Sequence, residues 1–280
     1  MPRNTKGTAA RQARSPGTVS ALERGIAVLH CFEANAGPLS NGEIAQCTGI
    51  PKPTVTRLVA TLVSLGYLKQ AHESDRFALA AGVFALARAF LAGLDVRGCA
   101  RPHMMELAEA AGASVYLAVP DGLEMVLIET CRSRSTVLYS RLDVGSRLSI
   151  ANSALGRAYL SALDAPEREA LIGQLRTAAG KRWASLSDGL TQALREAEAR
   201  GYSMSAGEWH RDINSIAVPL ISPRGEVMAI NCGGPAFAFS ADQLRKRIAP
   251  RLIETAKAIA REIGGVVPGP AGSGAVRGSR

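Results

Sequence analysis

Between residues 40 and 66 the chain carries a series of start and stop signals that leaves little choice of local fold. Ser40 is followed three residues later by Glu43, a capping box in which the hydroxyl satisfies a free helix amide and the carboxylate reaches back. The spacing predicts a short helix from Asn41 to Cys47, which Gly49 breaks. Pro51 and Pro53 both suit the opening turn of a further helix, where proline needs no amide partner. That helix is predicted from about Lys52 to Leu65, turning Val55, Leu58, Val59 and Leu62 toward a core, and Gly66 ends it. Upstream, SALERGIAVLHCF places Leu22, Ile26, Leu29 and Phe32 at helical spacing. Downstream, YLKQAHESDRFALA reads as two short strands around Leu68 and Phe77, joined by a turn at Glu73, Ser74 and Asp75. Three helices with a tight turn before the third, then a hairpin, form a winged helix-turn-helix.

The charge pattern suits DNA. From Ile44 to His72 there are three Lys or Arg residues and no acid, within a chain of net charge +9. The third helix offers Lys52, Thr54, Thr56, Arg57 and Thr61 as its exposed positions. Short hydroxyl side chains and an arginine near a helix start fit phosphate contacts and base edges in the major groove. The plainer reading is a helical bundle with a solvated polar face.

The rest of the chain alternates strands and helices. Residues 1–18 read as a disordered basic arm, 19–81 as the winged domain, 82–97 as an apolar linker helix, 98–264 as a second domain and 265–280 as a disordered Gly/Pro/Ser tail. The linker helix either packs into the core or meets a second subunit through Val83, Leu86, Phe90 and Leu91. In the second domain, SVYLAV and EMVLIETC are strands about the turn Pro120–Gly122, and TVLYSRL is another. NSALGRAYLSAL, APEREALIGQL and SDGLTQALREAEARG are helices, and YSMS, NSIAVPLIS and VMAINCGG are strands. A closing helix is expected to bend at Pro250. Strand pairs with helices between and after them make an α+β fold with a mainly antiparallel sheet.

Several functions drop out. No apolar stretch reaches the roughly 20 residues of a membrane span, and the polar N-terminus lacks a signal core. The five cysteines have no metal-ligand or CxxC spacing, so no metal or disulfide framework is expected and a reducing cytoplasm is. His30, His72, His103 and His210 are scattered, Cys232 lies in a strand, and no nucleophile, base and orienting group fall together. No catalytic residue and no cofactor is expected. Small polar groups do lie at element ends in the second domain. Asn152 and Ser153 precede a helix whose free amides favour an anion. Ser205, Asn214, Ser215 and Asn231 to Gly234 end strands. They either cap and turn the chain or together line one pocket.

The segments GIPKPTVTRLVATLVSLGYL, NSALGRAYL and ARGYSMSAGEWHRDINSIAVPLISPRGEVMAINCGGP carry a resemblance to the isocitrate-lyase-regulator (IclR) family of bacterial transcription factors, over about Val19 to Gly264. The resemblance implies a GAF-like second domain that binds a small effector, often an organic or aromatic acid. It places that pocket at Ala154, Leu155, Ser205, Ser215, Asn231 and Gly233, beside the Ser153 cap. The family often has an acid at the position of Ser205, a Cys at Ser215 and Ser at Asn231 and Gly233. The implied partners are a double-stranded DNA operator, a small-molecule effector and further copies of the chain as a homodimer or dimer of dimers, in the cytoplasm at the nucleoid. The alternatives are a second domain that only oligomerises, or a catalytic sensor-like enzyme.

Overall fold

The computed structural model describes residues 19–270 except 34, 36, 72, 73 and 135–141. The expected basic arm, the tail from 271 on, His72, Glu73 and all of the TVLYSRL strand but Leu142 lie outside the described residues. The chain divides at Gly93/Leu94 into two units.

The first unit contains α1 (Ser20–His30), β1 (Leu39–Ser40), α2 (Asn41–Thr48), α3 (Lys52–Ser64), β2 (Leu68–Gln70), β3 (Arg76–Leu79) and α4 (Ala81–Ala92). The capping box forms as the spacing predicts: the Glu43 amide donates to Ser40 Oγ and the Ser40 amide to Glu43 Oε2 at 2.8 Å. Gly49 closes α2 at φ +69°, a conformation costly for any residue with a Cβ. The wing has a third strand that the sequence pattern does not reveal: β1, two residues long, pairs antiparallel with β3 on the side opposite β2. Val28, Cys31, Phe32, Ile44, Val55, Val59, Leu62 and Leu68 form the core. On α1 the buried face is therefore Val28 with Cys31 and Phe32, whereas Leu22 and Ile26 are exposed. Helical spacing identifies a stripe but not which side of it meets the core. Helix α4 buries none of its residues, and Phe84, Leu86 and Phe90 stand more than half exposed. The expected 82–97 linker helix is two helices: α4 stops at Ala92, and a new helix starts at Val96 after Gly93.

The second unit is built on one antiparallel sheet in the order β6-β5-β4-β9-β8-β7. Its elements are α5 (Val96–Ala111), β4 (Ser114–Asp121), β5 (Glu124–Arg132), β6 (Arg147–Ser149), α6 (Ala154–Ala162), α7 (Ala165–Ala179), α8 (Trp183–Arg200), β7 (Ser203–Ala206), β8 (Ile213–Ile221), β9 (Val227–Pro235), α9 (Ala241–Gln243) and α10 (Ala249–Ile263). Alternate residues of a strand face opposite sides, so the register sorts the sheet. Met204, Ile216, Cys232, Val115 and Cys131 share the side met by α5 and α10. The other side, covered by α6 and α8, carries Ser203, Ser205, Ser215, Ala217 and Asn231, with Tyr116, Met125 and Leu127 on β4 and β5 packed into the core beneath α6. The closing helix is interrupted before Pro250, not at it: a wide π-turn spans Leu244–Ile248, and Pro250 sits in the first turn of α10 where its missing amide costs nothing. The tail also begins later than expected. Val266 exchanges two backbone hydrogen bonds of 2.9 Å with Ile221, a pairing that depends on the backbone and not on the Gly/Pro-rich composition.

Candidate functional site

Helix α3 presents one bare polar side. Val55, Val59 and Leu62 are buried, and Lys52, Thr56, Arg57 and Thr61 lie exposed away from them. Thr54 is half-buried at the boundary. Two hydroxyls are partly engaged: Thr56 Oγ1 donates to the Lys52 carbonyl and accepts from Asn41 Nδ2, and Thr61 Oγ1 donates to the Arg57 carbonyl. Each can still accept, as a phosphate-facing or base-facing group must if it meets an amino donor. Lys52 and Arg57 have no ion-pair partner among the described residues, so two cations stand free at the helix start. Pro53, Ala60 and Ser64 complete this side and are small enough to let a duplex approach Arg57. The wing is fixed from behind: Arg76 on β3 bonds Glu43 at 2.9 Å and the Pro38 carbonyl at 2.7 Å. The Ser40 amide, then its hydroxyl, then Arg76 hold the Glu43 carboxyl down at about 2.

In the second unit the expected ligand residues converge. Ser205, Ser215, Gly233, Ser114 and Arg132 form one cross-strand row, and Ser203, Ala217, Asn231, Tyr116 and Thr130 form the next row on the same side. Ala154 and Leu155 lie on α6, which packs on β7, β8 and β9. Two glycines set the spacing. A Cβ at Gly156 would lie 2.2 Å from Ile150 Cα, so only glycine lets α6 seat there. A Cβ at Gly233 would lie 2.4 Å from the Asn214 carbonyl.

Their polar atoms are not equally available. Ser153 Oγ already accepts the Gly156 amide, so α6 caps its own N-terminus. Ser205 Oγ donates to the Asn152 carbonyl at 2.7 Å and accepts the Trp209 amide. Ala154 and Leu155 are fully buried core residues. What remains open is the half-buried Ser215 hydroxyl and the Asn231 amide nitrogen, Asn231 Oδ1 being engaged by the Tyr116 amide. Among the further buried polar atoms of this unit without a partner are Ser203 Oγ, Asn152 Oδ1 and Arg132 Nε. A separate cavity of about 500 Å³ opens between α5 and α10, lined by His103, Glu106, Arg251 and Glu254 among others. None of the expected ligand residues lines it.

Two ionic constellations were not visible in the sequence pattern. Arg157, nearly inaccessible, binds the Glu208 carboxylate through both terminal nitrogens, and also the carbonyls of Met204 and Ala151. With the bond from Asn152 Nδ2 to the Glu208 carbonyl, it ties the β7–β8 connection to α6. On the other side of the sheet, buried Glu129 accepts from Arg97 and Arg101 of α5. The histidines also have carboxylate neighbours, His30 with Glu33 and His103 with Glu262. Among the described residues, no three metal-ligating side chains converge. Burial pushes the Cys232 thiol up to about 12, where a thiolate nucleophile is not formed at neutral pH. Among the described residues, no helix is long and apolar enough to cross a membrane.

Comparison with known proteins gives two family matches: the bacterial transcriptional regulator IclR C-terminal domain over residues 88–261 and the IclR helix-turn-helix domain over residues 21–72. The HTH-type transcriptional regulator TsaQ1/TsaQ2 of Comamonas testosteroni is 32% identical, over 90% of this chain and 91% of its own length. An IclR-family regulator from Brucella abortus of known crystal structure is 41% identical with a TM-score of 0.82, over 91% of this chain and 96% of the other. An IclR homologue from Microbacterium hydrocarbonoxydans, crystallised with 4-hydroxybenzoate, has the same fold at 22% identity and a TM-score of 0.69, over 88% of this chain and 99% of its own.

Proposed function

Because this chain belongs to the IclR family of transcriptional regulators and carries its DNA-binding unit, we propose that a small organic or aromatic carboxylate, bound on the α6 side of the six-stranded sheet, modulates its binding to an operator. The observation that carries this reading is the convergence of Ser215, Asn231 and Gly233 under α6, with open hydrogen-bonding atoms and no carboxylate in either row. Apolar walls with a few convergent polar groups suit a small ligand. The 4-hydroxybenzoate complex of the Microbacterium homologue supports the aromatic acid class.

Operator reading is assigned to Lys52, Thr54, Thr56, Arg57 and Thr61, and effector contact to Ser153, Ala154, Leu155, Ser205, Ser215, Asn231 and Gly233. In this reading Ser215 and Asn231, whose polar atoms are open, touch the ligand, whereas Ser153, Ser205, Ala154 and Leu155 shape the wall behind it. A second copy covers the bare apolar side of α4, giving a homodimer or a dimer of dimers that reads an inverted repeat at the nucleoid. The test is calorimetric titration of 4-hydroxybenzoate and related acids into the wild type, Ser215→Leu and Asn231→Leu. Binding lost in both variants supports the site. Binding kept in both places the effector elsewhere, and the absence of any acid binding to the wild type defeats the carboxylate reading.

A further inference from the structure

The exposed threonines of α3 differ in what already holds their hydroxyls. Thr61 Oγ1 has one partner among the described residues, the Arg57 carbonyl at 3.0 Å. Thr56 Oγ1 has two: it donates to the Lys52 carbonyl at 3.0 Å and accepts from Asn41 Nδ2 at 3.2 Å. A hydroxyl has one proton and two lone pairs. Thr56 has therefore committed its proton and one lone pair within the protein, although the residue is exposed.

Asn41 is held where it makes this bond. It is the first residue of α2, directly after the Ser40 cap, and Glu43 of that cap is fastened to Arg76 of the wing. Asn41 is half-buried, and its Oδ1 lies away from solvent with no partner among the described residues. Turning the amide over would offer Oδ1 to the same hydroxyl. In either orientation the Thr56 proton faces an acceptor of the protein.

On DNA this separates phosphate from base. Phosphate oxygens only accept, so a hydroxyl with its proton committed does not suit them; the exposed cations Lys52 and Arg57 do. With the oxygen drawn toward Lys52 and α2, the γ-methyl is what Thr56 has left to offer outward. In the major groove a threonine methyl matches the 5-methyl of thymine. Resting on α3 as the reading element, we propose that Thr56 reads a thymine in each half-site through its methyl. Asn41, which touches no base, is the positioning residue that keeps the methyl outward.

The experiment takes the repeat that the full chain selects from random duplexes. Each thymine common to the selected duplexes is replaced in turn by uracil, which removes the 5-methyl and keeps every hydrogen-bonding group. Affinities are measured at one salt concentration for the wild type, Thr56→Ser, Thr56→Val, Asn41→Ala and the double variant Asn41→Ala, Thr56→Val. At one thymine of a half-site, uracil should weaken wild-type binding about fourfold, the contribution of one buried methyl. Thr56→Ser, which loses the methyl and keeps the hydroxyl, should bind both duplexes alike. Thr56→Val, which keeps the methyl, should retain the penalty. Asn41→Ala should shrink the penalty when Thr56 is present and leave it intact beside Val, whose branched side chain is stiff without a hydroxyl partner.

Loss of the penalty in Thr56→Val would make the hydroxyl the reader, and an equal effect of Asn41→Ala in both backgrounds would mean that Asn41 acts on its own. Either result overturns the assignment. The uracil comparison on the wild type needs no variant to fold. No penalty at any thymine, or a penalty that Thr56→Ser keeps, overturns the methyl reading and leaves α3 as the reading element. If the chain selects no repeat, or if the variant with Lys52, Thr54, Thr56 and Arg57 changed to Ala selects the same one, the assignment of α3 fails and that of Thr56 falls with it.

Discussion

On α3, Lys52, Thr56 and Arg57 stand in solvent, whereas under α6 the polar residues Ser203, Ser205 and Asn231 are each no more than 5% exposed. The difference follows from the size of the partner. A duplex brings its own surface, so the protein must offer charge on a convex, uncovered helix and pay little desolvation beforehand. A small molecule must be enclosed to bury enough of itself, so on the function proposed above its polar contacts belong on a sheet face already withdrawn from water. The supports differ in the same sense. The first unit places α3 by a small core and a local capping box, and leaves α4 bare. The second unit covers its sheet on both sides and fastens a connecting loop with the inaccessible Arg157.

The contrast predicts that mutations under α6 act on folding and mutations on α3 act on binding. Both tryptophans, Trp183 and Trp209, belong to the second unit, so their fluorescence reports its unfolding selectively. The largest effect is expected for Gly156→Ala, which forces a methyl against the Ile150 backbone. A loss of about 4 kcal/mol or more in urea unfolding is expected, a size confined to a few severe mechanisms. Arg157→Met should follow at about 3 kcal/mol, since it strips two buried carbonyls and the Glu208 carboxylate of their donor. A loss below about 1 kcal/mol would show that this fastening is not structural. On α3, Arg57→Ala should weaken operator binding by about 1–3 kcal/mol while leaving both fluorescence and far-UV unfolding curves in place. A large shift in its melting temperature would erase the distinction between the two regions.

The smallest effect is a pH dependence confined to the first unit. The Glu43 carboxyl is held at about 2 against an ordinary 4.5, first by the Ser40 amide. Its folded value is lowered, so its contribution is complete above the ordinary carboxylate range and is lost as pH falls toward 2. In far-UV melts, the gap between the wild type and Glu43→Gln should narrow with acidification. A gap that widens or stays constant would mean that the capping carboxylate is not the titrating group.

What was legible in the sequence was local. Ser40, Glu43, Gly49, Pro51 and Pro53 act within a few residues of one another, and the α2–turn–α3 unit appears where they place it. The buried side of α1 was not legible, because Leu22 and Val28 both belong to a helical pattern and only the tertiary partner decides between them. Strands β1 and β6 are two and three residues long, too short for alternation to register. The family resemblance located Ser205, Ser215, Asn231 and Gly233, but not the internal bonds that occupy Ser153 and Ser205. Arg157 and Glu208 are 51 residues apart and meet only once α6 lies on the sheet.

The central claim is that one exposed helix side reads DNA. Its direct test is selection from a pool of random duplexes by the full chain and by a variant with Lys52, Thr54, Thr56 and Arg57 all changed to Ala. The wild type should enrich an inverted repeat, and the variant, with an unchanged far-UV spectrum and melting temperature, should enrich none. Enrichment of the same repeat by the variant would contradict the assignment of α3 as the reading element.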